Sequence, residues 1–239
     1  QRPSERLDIF PGEPRRAPVL VFVHGGWWRS LDKSDYSFVA PAFVAKGTCV
    51  VMVNYALCPG TSGQPVTLPF IVRQLEQALA WLWTHVADHG GNPGNITLVG
   101  HSAGGHLAAL LLASAWPLLS RRLPAVLVRK ALAISGVYDL TPIRRTPFLQ
   151  RDLHLTEQQV MRLSPALLPA PPEAHLHCVV GGNESEEFQR QCGLMRRAWG
   201  SHYAPRADVL LGMHHYSIVD SLADPSGEVH QMAVNLLRL

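Results

Sequence analysis

The stretch ITLVGHSAGGHLAALLLA, residues 96–113, decides the fold of this chain. It begins with a β-branched apolar run that favours a strand, and it ends with alanines and leucines that favour a helix. Between them lies a G-x-S-x-G pentapeptide with Ser102 at its centre and Gly100 and Gly104 on either side. A strand, a sharp turn and a helix form the setting in which this pattern presents a serine nucleophile. Because such a turn is crowded, the flanking residues must be small. The sequence therefore favours a reactive Ser102 over a serine in an ordinary glycine-rich turn.

A second motif lies upstream, where the apolar run PVLVFV at residues 18–23 leads into His24-Gly25-Gly26. Such a run favours a buried strand, and glycines let a backbone approach a substrate atom closely. The amides of Gly25 and Gly26, with that of Ala103, are expected to face the negative charge that develops on a substrate carbonyl oxygen. A tight turn alone would also explain the glycines, but the serine motif downstream favours the oxyanion hole.

Length and composition limit the class of protein. The 239 residues suit one α/β domain with a full core, so residues 1–239 are expected to form a single domain. Hydrophobic residues make up 47% and charged residues 16%, which excludes a disordered chain. The net charge of +3 is slight and the arginine pairs are scattered, so no nucleic acid partner is expected. No apolar run reaches membrane-spanning length, so no membrane partner is expected either. A small-molecule substrate is expected, and a homodimer is possible.

The cysteines bear on the compartment. Cys49, Cys58, Cys178 and Cys192 show neither paired nor zinc-binding spacing. Cys49 and Cys178 lie in strand-like runs and are expected to be core thiols. Unpaired thiols favour a reducing compartment, so a cytoplasmic location is expected. No secretory leader is visible, but this weighs little because the chain begins at Gln1 without a methionine.

Strand and helix patterns alternate along most of the chain, which predicts a mainly parallel sheet with helices on both faces. Ligands of such sheets bind at the carboxyl ends of the strands, where both motifs lie. The proline-rich segment at about 138–172 departs from this pattern and is expected to form a small cap, with a long surface loop as the alternative. Within it, Thr156 to Gln159 resembles a capping box that opens a short helix. The predicted strands are residues 18–23, 48–55, 96–99, 131–136, 178–180 and 208–211, and the predicted helices include residues 70–89 and 229–237.

A serine hydroxyl is a poor nucleophile unless a histidine base, held by an acid, takes its proton. In folds with this serine turn, the acid follows a late strand and the histidine follows the last one. Glu184 is the best-placed carboxylate, and Asp139, at the end of an earlier strand, is the alternative. The segment after the last predicted strand holds His214 and His215, and one of the two is expected to be the base.

Other histidines have simpler explanations. His85 and His89 stand four residues apart on a predicted helix, as metal ligands can, but the residue after His85 is not the glutamate that the motif requires. No metal site is therefore expected. His175 and His177 alternate along a strand and are expected to lie on an exposed face, and His101 is expected to be structural.

The segments considered so far can be compared as a set with known families. They are HGGWW at residues 24–28, GHSAGGHL at 100–107, SGVYDL at 135–140, ESEEF at 184–188 and HY at 215–216. Together they resemble the kynurenine formamidase (arylformamidase) family of α/β-hydrolases, over nearly the whole chain from Pro18 to about Leu222. The first two motifs occur in many esterases, whereas their combination with the third and fourth is more specific.

The resemblance implies an α/β-hydrolase fold and hydrolysis of N-formylkynurenine to kynurenine and formate, without a metal or organic cofactor. It makes Ser102 the nucleophile, His215 the base and Glu184 the acid. The family's acid is usually an aspartate followed by Ser-Pro-Glu-Phe, so Glu184 and Glu186 depart from the pattern. His214 likewise stands where the family has an aspartate. These departures leave the triad intact and bear on the identity of the substrate.

The resemblance also bears on the pocket and on other functions. Trp27 and Tyr138 are expected to line an aromatic pocket, with packing inside the protein as the alternative. A general carboxylesterase acting on small acyl esters is the alternative enzyme. A hydrolase-fold binding protein without activity is the alternative outside enzymes, and the intact serine, histidine and acid argue against it.

Overall fold

The computed structural model describes residues 5–13 and 15–239. The strands are β1 (Leu7–Phe10), β2 (Ala17–Val23), β3 (Cys49–Val53), β4 (Gly60–Thr61), β5 (Gln64–Pro65), β6 (Gly91–His101), β7 (Lys130–Ile134), β8 (His175–Gly181) and β9 (Arg206–Leu210). In the described part of the chain, β4 and β5 form a small hairpin, and the others form a seven-stranded sheet in the order β1-β3-β2-β6-β7-β8-β9. Strand β1 pairs antiparallel at one edge, and all other pairs in this sheet are parallel.

Helices connect most of the parallel strands, as parallel pairing requires. The α-helices are α1 (Ala40–Val44), α2 (Leu68–His85), α3 (Ala103–Leu112), α4 (Trp116–Leu119), α5 (Thr141–Arg144), α6 (Pro147–Leu153), α7 (Glu157–Leu163), α8 (Glu186–Tyr203), α9 (Ser217–Ala223) and α10 (Glu228–Arg238). Short 3₁₀ helices span Lys33–Val39, Val86–His89 and Pro165–Leu167.

The two faces of the sheet carry separate apolar layers. Alternate residues of β2 point to opposite faces, so Val21 packs in one layer and Phe22 in the other. Helices α2, α3 and α8 cover the first face, and α1, α9 and α10 cover the second. Because both faces are buried, the central strands read as continuous apolar runs rather than alternating ones.

The mainly parallel α/β sheet predicted from the sequence is confirmed, and every predicted strand overlaps an observed one. Among the observed elements that lie outside the predictions are strand β1 and helix α8. Strand β1 has four half-buried residues at the sheet edge, and α8 contains two glycines and many charged residues. Strand β1 has no apolar run, and the glycines and charges of α8 mask the helical spacing of Cys192, Met195 and Trp199.

The proline-rich segment between β7 and β8 forms the short helices α5, α6 and α7. The predicted capping box is confirmed: the Gln159 amide donates to the Thr156 hydroxyl at 3.1 Å, and the Thr156 amide donates to the Gln159 side chain at 2.9 Å. Arg29, in the loop after β2, forms an ion pair with Asp152 at 2.7 Å and donates to the Phe148 carbonyl at 3.0 Å. These contacts hold the segment against the His-Gly-Gly loop.

The carboxyl ends of the parallel strands bring the candidate side chains to one edge of the sheet. Gly25 follows β2, Ser102 follows β6, Ser135 follows β7, Glu184 follows β8 and His215 follows β9. In the described residues, 5–13 and 15–239, no helix is both long enough and apolar enough to cross a bilayer.

Candidate active site

Ser102 occupies the sharp turn between β6 and α3. Its backbone has φ 57° and ψ −119°, a conformation that costs free energy for any residue with a side chain. The Ser102 amide donates to the Ile134 carbonyl of the neighbouring strand at 2.8 Å, and the residue is almost fully buried. The surrounding sheet thus holds a strained serine in one position at the sheet edge.

The two glycines of the pentapeptide are required by close backbone contacts. A Cβ added to Gly100 would lie 2.1 Å from the Gly104 carbonyl oxygen, and one added to Gly104 would lie 1.9 Å from the Val23 carbonyl oxygen. Both distances are far shorter than a carbon–oxygen contact. Glycine is therefore required at Gly100, where two parts of the turn are in contact, and at Gly104, where the turn contacts the end of β2.

His215 and Glu184 form the charged pair of the site. The His215 Nδ1 donates to Glu184 Oε2 at 2.6 Å, and the Glu184 side chain is 1% exposed. The other carboxylate oxygen, Oε1, accepts from the Ser135 hydroxyl at 2.5 Å and from the Gly181 amide at 2.8 Å. Burial favours the neutral acid, but the hydrogen bonds from His215, Ser135 and Gly181 outweigh it, so the pKa of Glu184 lies below its ordinary value.

The structure shows different partners for Glu184 and for the alternative acid, Asp139. Asp139 accepts from the Thr141 amide of its own loop at 2.9 Å and lies 3.9 Å from Arg190 of α8. Of the two carboxylates, Glu184 is the one that contacts His215.

The two adjacent histidines face different ways. His214 is exposed, and its Nδ1 accepts from the amides of Tyr216 and Ser217, both at 3.3 Å. His214 therefore caps its own turn, whereas His215 turns inward. With Nδ1 bound to the carboxylate, the Nε2 of His215 keeps the lone pair that can accept a proton.

His101 links the serine turn to the histidine loop. Its Nε2 donates to the His215 carbonyl at 2.8 Å, and its Nδ1 lies 3.2 Å from the Tyr36 hydroxyl. Burial lowers the pKa of His101 to about 3, so this ring is neutral in the folded protein. His101 therefore positions the loop of His215 beside Ser102. Among the described residues, no direct hydrogen bond joins Ser102 to His215, and such bonds often form only when substrate binds.

The His-Gly-Gly loop passes directly beside the serine. A Cβ on Gly25 would lie 3.1 Å from the Ser102 Cβ. The Gly25 amide has a partner in Tyr36, whose hydroxyl it contacts. Within residues 5–13 and 15–239, the backbone amides of Gly26 and Ala103 donate no hydrogen bond. Gly26 and Ala103 are therefore the amides that remain free to bind a substrate oxygen.

A polar network supports that loop from behind. The His24 ring stacks on Tyr55 at 4.1 Å and contacts the Asn54 side-chain oxygen at 3.1 Å. Asn54 in turn donates to Asp32 at 2.6 Å, and the Tyr55 hydroxyl donates to the carbonyls of His24 and Gly25. These bonds hold the His24 and Gly25 carbonyls towards Tyr55 and away from the site. The amides of the loop can then face the site.

An apolar cavity of about 220 Å³ reaches the site through Phe188, which lines the cavity on one side and contacts the His215 ring on the other. The Phe188 ring lies 4.8 Å from the His215 ring and 5.9 Å from the Trp27 ring, measured between centroids. Tyr138 lies in the core, and its neighbour Val137 lines the cavity instead. The cavity is lined by Trp27, Val137, Pro142, Ile143, Thr146, Phe148, Leu149, Ser185, Glu187, Phe188 and Gln191.

The remaining histidines have local partners. His85 stacks on Trp81 at 4.5 Å. His175 and His177 are half-buried rather than on an exposed face as expected, and their Nε2 atoms lie 3.2 Å apart. In the described ranges, no group of three His, Cys, Asp or Glu side chains is arranged to hold a metal ion.

Sequence reasoning missed three side chains of this site: Ser135, Tyr36 and Phe188. Ser135 lies inside the predicted strand 131–136, whereas the observed strand β7 ends at Ile134, so the prediction placed Ser135 within a strand rather than at its carboxyl end. Phe188 lies in the segment 184–188 that carries the family resemblance, which is a usable signal. Tyr36 offered none, because the 3₁₀ helix that carries it contributes through tertiary contacts alone.

Comparison with known proteins agrees with this geometry. A model of the BD-FAE family matches residues 7–159, more than half of the chain. The chain belongs to the BD-FAE family. Within this BD-FAE chain, the match spans the His-Gly-Gly loop and the serine turn, while the acid and histidine segments lie beyond it.

Relatives of this BD-FAE protein are hydrolases. Kynurenine formamidase of Salmo salar is 28% identical over 98% of this chain and 78% of its own, and that of Danio rerio is 28% identical over 92% and 74%. Esterase LipQ of Mycobacterium tuberculosis is 39% identical over 57% of this chain and 32% of its own. The chain is therefore a hydrolase related to kynurenine formamidases and carboxylesterases.

Solved structures place the BD-FAE chain in the α/β-hydrolase fold. A crystal structure from a Silicibacter strain, described as a candidate thioesterase, matches with a TM-score of 0.82 at 30% identity and covers 100% of this chain and 82% of the other. Esterase B from Lactobacillus rhamnosis matches with a TM-score of 0.77 over 100% of this chain and 87% of its own. Its identity of 16% supports the fold alone.

Proposed function

We propose that this chain is a formamidase that hydrolyses N-formylkynurenine to kynurenine and formate. The observation that carries the proposal is the apolar, aromatic-lined cavity that Phe188 connects to His215 in a chain related to kynurenine formamidases. N-formylkynurenine carries its formyl group on an aromatic amine. A cavity lined by Trp27 and Phe188 suits such a ring, because aromatic rings gain from offset or tilted stacking as well as from burial.

In the proposed acylation step, the Ser102 oxygen attacks the formyl carbon while the Nε2 of His215 takes the hydroxyl proton. The tetrahedral intermediate then expels the aromatic amine, which takes that proton from His215 as the carbon–nitrogen bond breaks. Kynurenine leaves, and the formyl group remains as an ester on Ser102. Water attacks this ester in the second step, again with His215 as the base, and releases formate.

Glu184 and the loop amides stabilise the charges of this reaction. Glu184 Oε2 accepts the Nδ1–H of His215 with an N–O distance of 2.6 Å. This bond fixes the tautomer of His215 and stabilises the imidazolium when it forms. The amides of Gly26 and Ala103 face the oxyanion, and Gly25 joins them if its amide turns from Tyr36 to the substrate. Loss of one such donor typically costs about 10²–10³ in kcat.

The cysteines bear on the proposed location of the enzyme. Each of the four cysteines is free and buried, which supports a reducing, cytoplasmic location for the enzyme. A small molecule is the proposed partner, with neither nucleic acid nor membrane required.

Substitution of Trp27 tests the aromatic side of the proposal. Trp27→Ala removes one wall of the cavity, so it should lower kcat/KM for N-formylkynurenine by roughly 10-fold or more. The specificity constant for an alkyl formamide without an aromatic ring should change far less. Trp81→Ala, at an exposed tryptophan elsewhere on the surface, is the matched control. Equal losses on both formamides would contradict an aryl-binding cavity.

The related esterases favour one alternative, a general carboxylesterase for small acyl esters. The two functions differ in their preference for the acyl group. A formyl-selective site excludes longer acyl chains, whereas a carboxylesterase accepts them. A series of aryl formate, acetate and butyrate esters therefore separates them by specificity constant.

A further inference from the structure

The Ser135 side chain lies outside the proposed triad but is bound to it. Its hydroxyl donates to Glu184 Oε1 at 2.5 Å, which is the short distance typical of a hydroxyl–carboxylate bond. Ser135 is fully buried, so water does not compete for this bond. Glu184 Oε1 also accepts from Gly181, while Oε2 is left to His215.

The backbone of Ser135 is strained. Its φ of 49° lies in the left-handed region, where serine is uncommon and glycine is at ease. The Ser135 amide donates to the Val179 carbonyl at 2.7 Å, which holds the residue at the end of β7 against β8. A strained, non-glycine residue that aims its hydroxyl at a buried carboxylate indicates that the side chain, rather than the turn, determines the choice of residue.

We infer that Ser135 is a positioning residue that orients the Glu184 carboxylate towards His215. A glutamate has one more rotatable bond than an aspartate, so its carboxylate needs more restraint to hold one oxygen towards the histidine. The Ser135 hydroxyl and the Gly181 amide together fix Oε1, and the geometry of the group then directs Oε2 to His215. Ser135 touches neither the proposed nucleophile nor the oxyanion amides.

The same bond affects protonation of the Glu184–His215 pair. A donor to the carboxylate stabilises its ionised form and lowers the proton affinity of the pair as a whole. Removal of the hydroxyl should therefore raise the pH at which the pair gains a proton. His101 and Cys192 are two other titratable groups that interact with Glu184, and neither loses a hydrogen-bond partner in this substitution.

Ser135→Gly is the most informative substitution, because it removes the hydroxyl while suiting the left-handed backbone. This inference rests on the proposed triad, so turnover is followed with an aryl acetate, whose hydrolysis needs the triad but not a formyl preference. We expect kcat to fall roughly 10- to 100-fold with KM changed by less than about twofold. The acid limb of kcat/KM should move upward by roughly half to one pH unit.

Three further variants make the test decisive. Ser135→Ala removes the same hydroxyl without relieving the backbone, and it should reproduce the shifted pH profile. Arg16→Gly relieves an exposed left-handed residue with φ 68° far from the site and should match the unmodified protein. Ser102→Ala should be inactive.

An unshifted acid limb in both Ser135 variants, with or without loss of kcat, overturns the inference and leaves Ser135 a structural residue. Activity that survives in Ser102→Ala overturns the triad itself, so the two failures are distinguishable.

Discussion

At the scale of single residues, the chemistry depends on which atom carries each proton. The His215 Nδ1–H is bound to Glu184, so the opposite nitrogen is the one available as a base. His101 donates its Nε2–H to the His215 carbonyl and stays neutral, so it supports the His215 loop rather than acting as a second base. The site thus combines one proton acceptor with several side chains that hold it in place.

Ser102→Ala tests the nucleophile. Loss of the hydroxyl should lower turnover by roughly four to six orders of magnitude and leave the fold intact, because the alanine fills the same space. Turnover of N-formylkynurenine and the circular dichroism spectrum measure the two effects. Ser114→Ala, at a serine just beyond α3, is the control and should be fully active. If Ser102→Ala keeps more than about a tenth of the turnover, another residue is the nucleophile.

The two histidines should respond differently to the same change. His215→Asn removes the proposed base and should abolish turnover, since asparagine cannot accept a proton at neutral pH. His214→Asn replaces an exposed cap and should keep most of the activity. Steady-state kinetics on the two variants decide the matter. The reverse order of effects would make His214 the base.

At the scale of elements, the serine turn is fixed by backbone crowding at two glycines. Gly104→Ala would place a Cβ 1.9 Å from the Val23 carbonyl oxygen, so either the turn or β2 must shift. We expect a loss of about 3 kcal/mol or more in the free energy of unfolding, or failure to fold. Gly63→Ala, in the open loop of the β4–β5 hairpin, has no atom within 4 Å and is the matched control. Urea unfolding that is equal for both variants would contradict the crowding argument.

Local sequence predicts some of these elements better than others. The central strands are buried on both faces and therefore appear as apolar runs, and the Thr156 capping box is a purely local signal. Strand β1 depends on pairing with a distant segment, which periodicity does not encode, whereas the glycines and charges of α8 mask its helical spacing. The position of Tyr138 is of the same kind: its neighbours along the chain suggest a pocket, but the side chain packs into the core.

At the scale of the whole molecule, several histidines are buried or half-buried in neutral form. Burial lowers the pKa of His101 to about 3, and those of His106 and His177 to about 4, from 6.5. The unfolded chain therefore binds more protons than the folded protein between these values. The stability that these groups confer is fully present above about pH 6.5 and is lost as the pH falls towards 4. The fold should become markedly less stable in mild acid.

Urea unfolding across this pH range measures the effect. The free energy of unfolding should decline steadily from neutral pH towards pH 4. His177→Asn should make the decline shallower, because one depressed pKa is removed. His89→Asn, at an exposed histidine, should leave the slope unchanged. A flat stability profile would show that the buried rings gain protons without unfolding the chain.

The proposed function itself is tested most directly by one comparison of specificity constants. The unmodified enzyme is assayed with N-formylkynurenine and with aryl formate, acetate and butyrate esters. A tight acyl site predicts that kcat/KM falls by roughly 10- to 200-fold for each added methylene, with N-formylkynurenine well above the butyrate ester. A butyrate ester that matches or exceeds the formyl substrates would contradict the formamidase and establish a general carboxylesterase in its place.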